Sequence, residues 1–249
     1  MEESLEERRA RRWWLRKARI KRLDQAVAFI EDVGFAMLWP KTGLALPSLW
    51  PLGTSGDPED EFGPEAQRMW GWKDEIPLKK LAWYGPFLRG RKSFLARDLL
   101  ADLYPREGRP DDFQGAELSK EARRIANIIL LDGPTPASVL REASGLGGAA
   151  FSKPVQELGR ALVITHFGVE EQDSGWPSAM YELTARAFRL PKKRSRARAA
   201  LRFVNTVIEC TARDLRAAFN WPLDETRAAL DELADAGKIR RVGKSYGTL

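Results

Sequence analysis

The distribution of proline and glycine constrains this chain more than any other feature. Pro40, Pro47, Pro51, Pro58 and Pro64 fall within residues 35–66, interleaved with several glycines. Proline removes a backbone donor and clashes with the preceding turn, so no regular helix runs through that density. On either side the punctuation is sparser and amphipathic periodicity takes over. The N-terminal part is therefore expected to hold an irregular, tryptophan-anchored layer on a helical frame. Packing is the expected role of its rings, with a pocket for a ligand or base as the alternative.

After Gly115 the punctuation becomes regular. Residues 119–131 (SKEARRIANIILL) read as an amphipathic helix stopped by Asp132-Gly133-Pro134. Thr135 is expected as the N-cap of a second helix (137–143), with Pro136 at its first position. A third helix follows Gly147-Gly148, with Ser152 as its expected N-cap and Phe151, Val155, Leu158 and Leu162 on its apolar face. Two β-rich runs, 162–168 and 178–184, then form a hairpin. That is the order of a winged helix-turn-helix. It recurs in a helix at 199–210, a capping box from Thr211 to Asp214, a third helix at 224–236 and a short hairpin at 238–249.

The expected fold is mainly α with small β-hairpin wings: tandem winged helix-turn-helix units behind a Trp/Pro-rich helical region. The expected divisions are a basic N-terminal helix (1–34), the Trp/Pro-rich region (35–115), a first winged helix (116–188), a basic linker (189–198) and a second winged helix (199–249). Within the first division, one helix is expected over 5–32. Pro77 and Pro86 are expected to open new segments.

Composition narrows the function. The chain has 249 residues, 41 Lys and Arg against 35 Asp and Glu, nine Trp, one Cys and one His. A lone Cys210 excludes an internal disulfide framework and a Cys-built zinc site, and a lone His166 leaves little room for His-centred metal or triad chemistry. No metal and no cofactor is expected. Cys210 reads as a small core residue, and His166, in a wing strand, as a surface or packing residue. No P-loop, GxGxxG or HExxH is present. No apolar run is long enough to span a membrane, and the charged N-terminus resembles no signal peptide, so a cytoplasmic location is expected.

The charge forms blocks: basic at 8–22, 79–97 and 189–202, acidic over 57–75 and along the helix at 224–236. The third helix of the first unit offers Ser152, Lys153, Gln156 and Arg160, residue types that read base edges in a major groove. Phosphate contacts are expected from Arg89, Arg91, Lys92 and the block Lys192, Lys193, Arg194, Arg196 and Arg198. Asp224, Glu225, Asp231, Glu232 and Asp235 make the equivalent helix of the second unit unfit for a phosphate-lined groove. That helix is expected to be structural or to face a protein partner, its wing (Lys238, Arg240, Arg241, Lys244) still able to touch phosphate. Double-stranded DNA is thus the expected partner. The only candidates for acid–base chemistry are Asp74 and Glu75, beside Trp70 and Trp72; the simpler reading is that they flank a helix.

Four segments carry a resemblance: EDVGFAMLWPKTGLALPSLW (31–50), WGWKDEIP (70–77), YGPFLRGRKSFLA (84–96) and LSKEARRIANIILLDGP (118–134). Together they resemble the compact bacterial AlkZ-related winged-helix proteins, which are similar to the AlkZ and YcaQ type of helix-turn-helix DNA glycosylases. The resemblance implies tandem winged helices, DNA binding and a place in DNA repair. It implies no catalysis, because the Gln-apolar-Asp or Gln-apolar-Gln motif that positions water in those glycosylases is absent. Gln25, Gln67, Gln114, Gln156 and Gln172 all fail the pattern, and 34–39 is apolar. A glycosylase with a divergent site at Asp74 or Glu75, and a protein–protein adaptor, are the alternatives.

Overall fold

The computed structural model describes residues 3–54, 63–173, 176–191 and 194–249. It opens with α1 (Leu5–Arg12). Then one order of elements, helix–strand–helix–helix–strand–strand, occurs three times. The first set is α2 (Leu23–Val33), β1 (Phe35–Met37), α3 (Trp50–Gly53), α4 (Pro64–Leu78), β2 (Trp83–Pro86) and β3 (Lys92–Leu95), followed by α5 (Arg97–Leu103). The second is α6 (Lys120–Asp132), β4 (Thr135–Pro136), α7 (Ala137–Ser144), α8 (Gly148–Arg160), β5 (Ile164–Glu170) and β6 (Ser178–Leu183), followed by α9 (Thr184–Ala187). The third is α10 (Arg196–Val207), β7 (Glu209–Cys210), α11 (Ala212–Phe219), α12 (Leu223–Asp235), β8 (Arg240–Val242) and β9 (Ser245–Gly247).

Each set forms a three-stranded antiparallel sheet in which the last strand lies between the other two: β1-β3-β2, β4-β6-β5 and β7-β9-β8. The protein is thus mixed α/β, helical in the main with small sheets. The expected helical region at 35–115 holds one of those sheets. The short, proline-interrupted run after Gly34 makes β1, where a helix is impossible.

Several local expectations give way to tertiary contacts. The helix expected over 5–32 breaks between Arg12 and Leu23, with Trp14 in the left-handed region at φ 59°. The break frees α1 to lie across the end of α10. There Arg12 Nε, Trp13 Nε1 and Arg9 Nε donate to the carbonyls of Asn205, Thr206 and Val207 at 3.1, 2.7 and 2.9 Å. Those carbonyls belong to the last turn of α10, which has no intrahelical donors for them, and the guanidinium charges also oppose the negative end of the helix dipole. Much of the first basic block is therefore spent on the fold.

Thr135 and Pro136 are not N-cap and first helical residue. They pair with Tyr181 and Met180 as β4, and Pro136 takes the cap position. Ser152 is not an N-cap either, since α8 begins at Gly148 and carries Pro154 in its interior, buried. Pro77 sits in the last turn of α4 and Pro86 closes β2. The helix expected to reach Cys210 stops at Val207, where Ile208 turns left-handed (φ 70°) and Cys210 joins β7. The capping box at Thr211 and Asp214 forms as expected.

The cores interlock. Phe35 of β1 stacks on Phe203 of α10 at 5.5 Å, and Phe203 meets Phe219 of α11 edge-on, so the first and third sets share one hydrophobic core. The second set has its own, around Ile125, Ile129, Leu140 and Leu158. It is fastened to the first by Trp83 Nε1 donating to Thr184 Oγ1 (3.1 Å) and by Gly159 of α8, seated against the Pro86 ring. Trp50, Trp72 and Trp83 are buried, as a packing role requires. Among the described residues, no helix is long and apolar enough to cross a membrane.

Candidate nucleic-acid interface

In α8 the apolar positions Phe151, Val155 and Leu158 turn inward, which leaves Ser152, Lys153, Gln156 and Arg160 exposed. Ser152, Gln156 and Arg160, spaced four apart, form one flank of the helix. Its only acid, Glu157, one turn after Lys153, is held by Ser119, accepting from its amide and hydroxyl, each at 2.6 Å. Lys153 has no ion-pair partner among the described residues, and neither do Arg91, Lys92 and Arg194.

The other expected contacts are already engaged. Arg160 Nη2 donates to Asn220 Oδ1 at 2.7 Å, and its side chain lies over Gly90, whose φ of +72° turns the chain tightly after β2. Arg89 pairs with Asp214 at 3.1 Å. Arg196 pairs with Glu225 and places its guanidinium 5.3 Å from the centre of the Trp221 ring. Arg198 forks onto Asp102, which also accepts from the Ser195 amide, so this arginine serves the start of α10. Lys192 and Lys193 lie outside the described residues. Arg106, Arg160, Arg194 and Arg196 line one cleft of about 540 Å³ with Trp221, where the second and third sets meet. Arg160, expected at base edges, and Arg194 and Arg196, expected at phosphates, thus line the same cleft, together with the acids Asp102 and Glu117.

Helix α12 behaves as its charge demands. Arg241 spans to Asp231 and Asp235, both at 2.9 Å, and Tyr246 donates to Asp231. The wing cation Arg241 is consumed in holding the acidic helix. Lys238, Arg240 and Lys244 stay exposed.

A second assembly is absent from any reading of the sequence. Asp74, on α4, and His166, on β5, meet with His166 Nε2 at 2.5 Å from Asp74 Oδ1. Lys73 Nζ donates to the same oxygen at 2.6 Å and lies 4.3 Å from the centre of the Trp70 ring. Burial pushes the Asp74 carboxyl up, but the hydrogen bonds from His166 and Lys73 outweigh it and hold the group below its ordinary value. Burial dominates at His166, lowering its pKa against the pull of Asp74. The pair at neutral pH is accordingly an ionised carboxylate beside a neutral imidazole. His166 is buried, edge-on to Tyr84 and Tyr181, which rules out the surface half of its expected role. Glu75 lies apart from this group, paired with Lys79 at 2.5 Å. Asp74 and His166 are 92 positions apart; the only sequence signal was that the chain's single histidine occupies an inward strand position.

Among the described residues no cluster of His, Cys, Asp and Glu is arranged to hold a metal ion. Burial pushes the Cys210 thiol up to about 12, as befits the core residue expected.

Comparison with known proteins adds the relationship. A family model described as AlkZ related matches residues 20–220. The chain belongs to the AlkZ-related family. Its fold is similar to that of Streptomyces sahachiroi DNA glycosylase AlkZ, with a TM-score of 0.56 at 13% identity, covering 96% of this chain and 67% of that one. No curated protein matches. The AlkZ-related chain thus shares an architecture with a glycosylase while little of the sequence is common to both.

Proposed function

We propose that this AlkZ-related protein binds duplex DNA in a DNA-repair setting, with α8 as the reading helix. The three sets of elements follow the order and strand arrangement of winged helices, and α8 is the third helix of the middle one. In that fold the third helix enters the major groove. The observation that carries the reading is the exposed flank of α8: Lys153 has no ion pair among the described residues, Gln156 and Arg160 are aligned, and the only acid is held by Ser119. Arg91 and Arg194, likewise without a described ion pair, are available for phosphate. Membership of the AlkZ-related family and the likeness to a DNA glycosylase support the same partner.

Fluorescence anisotropy with a labelled duplex tests it. Affinity falls steeply with salt, and the Lys153→Ala/Arg160→Ala double variant binds more weakly. Each phosphate-binding cation removed reduces the slope of log K against log salt by about 0.9. An unchanged affinity and slope removes α8 from the interface.

A second reading is excision of a damaged base, with Asp74 as the group that handles water. The Asp74–His166 contact beside Trp70 favours it. Against it, β1 fills the motif-bearing region with Phe35, Ala36 and Met37, all buried. Incubation with alkylated or cross-linked duplex, scored for abasic sites and for their loss in Asp74→Asn, decides between binding alone and excision.

A further inference from the structure

The strand β3 begins at Lys92, directly after the turn that carries Arg89 and Arg91 and receives Arg160. Lys92 has no carboxylate within ion-pair distance among the described residues. Its ammonium lies 5.8 and 6.0 Å from the ring centres of Tyr84 and Tyr181, on β2 and β6. Its charged neighbours are Lys73 and Asp74 on α4, and His166 stands behind both rings on β5. Asp74 is already shared between Lys73 and His166. The side chain is thus an amine without a counter-ion, on an aromatic floor, at the rim of a basic surface.

That environment disfavours the charged form. Desolvation and repulsion by Lys73 lower its pKa to about 8 against the attraction of Asp74, while Lys92 as a residue stays exposed at the start of β3. On such a value roughly a quarter of the side chain is free amine at pH 7.5, against about one part in a thousand for an ordinary lysine. An uncharged, accessible lysine amine is a nucleophile for carbonyl carbon.

We infer that Lys92 forms an imine with an aldehyde on DNA, the ring-opened deoxyribose of an abasic site. The amine lone pair attacks the aldehyde carbon, the C=O bond becomes a carbinolamine, and loss of water leaves the C=N bond. Nothing is oxidised or reduced. The adjoining Arg91 and Arg160 direct the choice towards an aldehyde on a polyanion rather than a free one. The reaction that supplies such a substrate is loss or removal of a base. This rests on the DNA-binding reading above.

The test uses the full chain, a duplex oligonucleotide with one abasic site, and sodium cyanoborohydride, which reduces an imine to a stable secondary amine. Duplex binding is measured alongside, and trapping is compared at protein concentrations that saturate the duplex for each variant. Wild type and Lys120→Arg, a change at an exposed lysine on α6, trap fully. Lys92→Arg traps at least tenfold less, and peptide mapping finds the modification at residue 92. Equal trapping by Lys92→Arg, or no trapping by a wild type that binds the duplex, overturns the imine alone. Failure to bind the duplex overturns the DNA reading, and the imine with it.

Discussion

Gly159 is the position at which the seating of α8 is most directly measurable. A Cβ there stands 2.5 Å from both Cδ and Cγ of Pro86, whereas carbon atoms rest about 3.5–4.0 Å apart. Gly159→Ala therefore has to lift α8 from β2 by roughly 1 Å, because a proline ring held in a strand does not swing aside. Overpacking of this kind costs about 1–3 kcal/mol. The helix itself favours alanine over glycine by about 1 kcal/mol, so the net effect is a loss of roughly 1 kcal/mol, or about 2–4 °C in Tm for a chain of this size. Gly71 supplies the control: it lies exposed in α4 with nothing near its absent Cβ. Gly71→Ala keeps the propensity gain and raises stability by up to about 1 kcal/mol. Thermal melts of the two variants beside wild type should move in opposite directions. If Gly159→Ala stabilises as much as Gly71→Ala, α8 is not seated on β2, and the placement of Arg160 beside the Gly90 turn fails with it.

Other outcomes follow from the same contacts. Arg9→Ala removes the guanidinium that donates to Val207 and Glu209 at 2.9 and 3.0 Å, and thermal unfolding should show a loss of about 1.5–3 kcal/mol, the range for hydrogen bonds involving a charged group. Cys210, its thiol raised to about 12 and buried, should resist a thiol reagent at pH 8 in the native protein and react fully in denaturant. The Asp74–His166 pair makes stability depend on pH in two windows. His166 is depressed in the folded state, so its contribution is complete above its ordinary 6.5 and declines as pH falls below that. Asp74 is depressed too, so its contribution persists down to its ordinary 3.8 and is lost as pH falls through the folded value. Urea titrations from pH 7 to 3 should show both losses, and His166→Gln should remove the first; a wild type equally stable at pH 7 and pH 5 contradicts the buried neutral imidazole.

The sequence by itself determined the local grammar of the protein. Periodicity marked the long helices, the capping residues of α11 were read correctly, and the charge fell into blocks along the chain, acids at 57–75 and 224–236 and bases at 79–97 and 189–202, of which 57–62, 192 and 193 lie outside the described residues. The family was legible in the tryptophan- and glycine-bearing segments. Those features depend on neighbours three or four residues away, which a linear reading sees. What the sequence left open depends on residues far apart in the chain. The first set of elements hid in the proline-rich region, because strands of three or four residues acquire their identity only by pairing across a sheet. The basic block at 8–22 carried no assigned contact in the sequence, yet Arg9 and Arg12 cap the end of a helix that begins at residue 196. Asp74 and His166, ninety-two positions apart, became a pair only when α4 packed on β5. Charge and periodicity are properties of the chain, but whether a charge is free for DNA or already held by a carbonyl is decided by tertiary packing, which brings each donor within about 3 Å of its acceptor or leaves it to solvent.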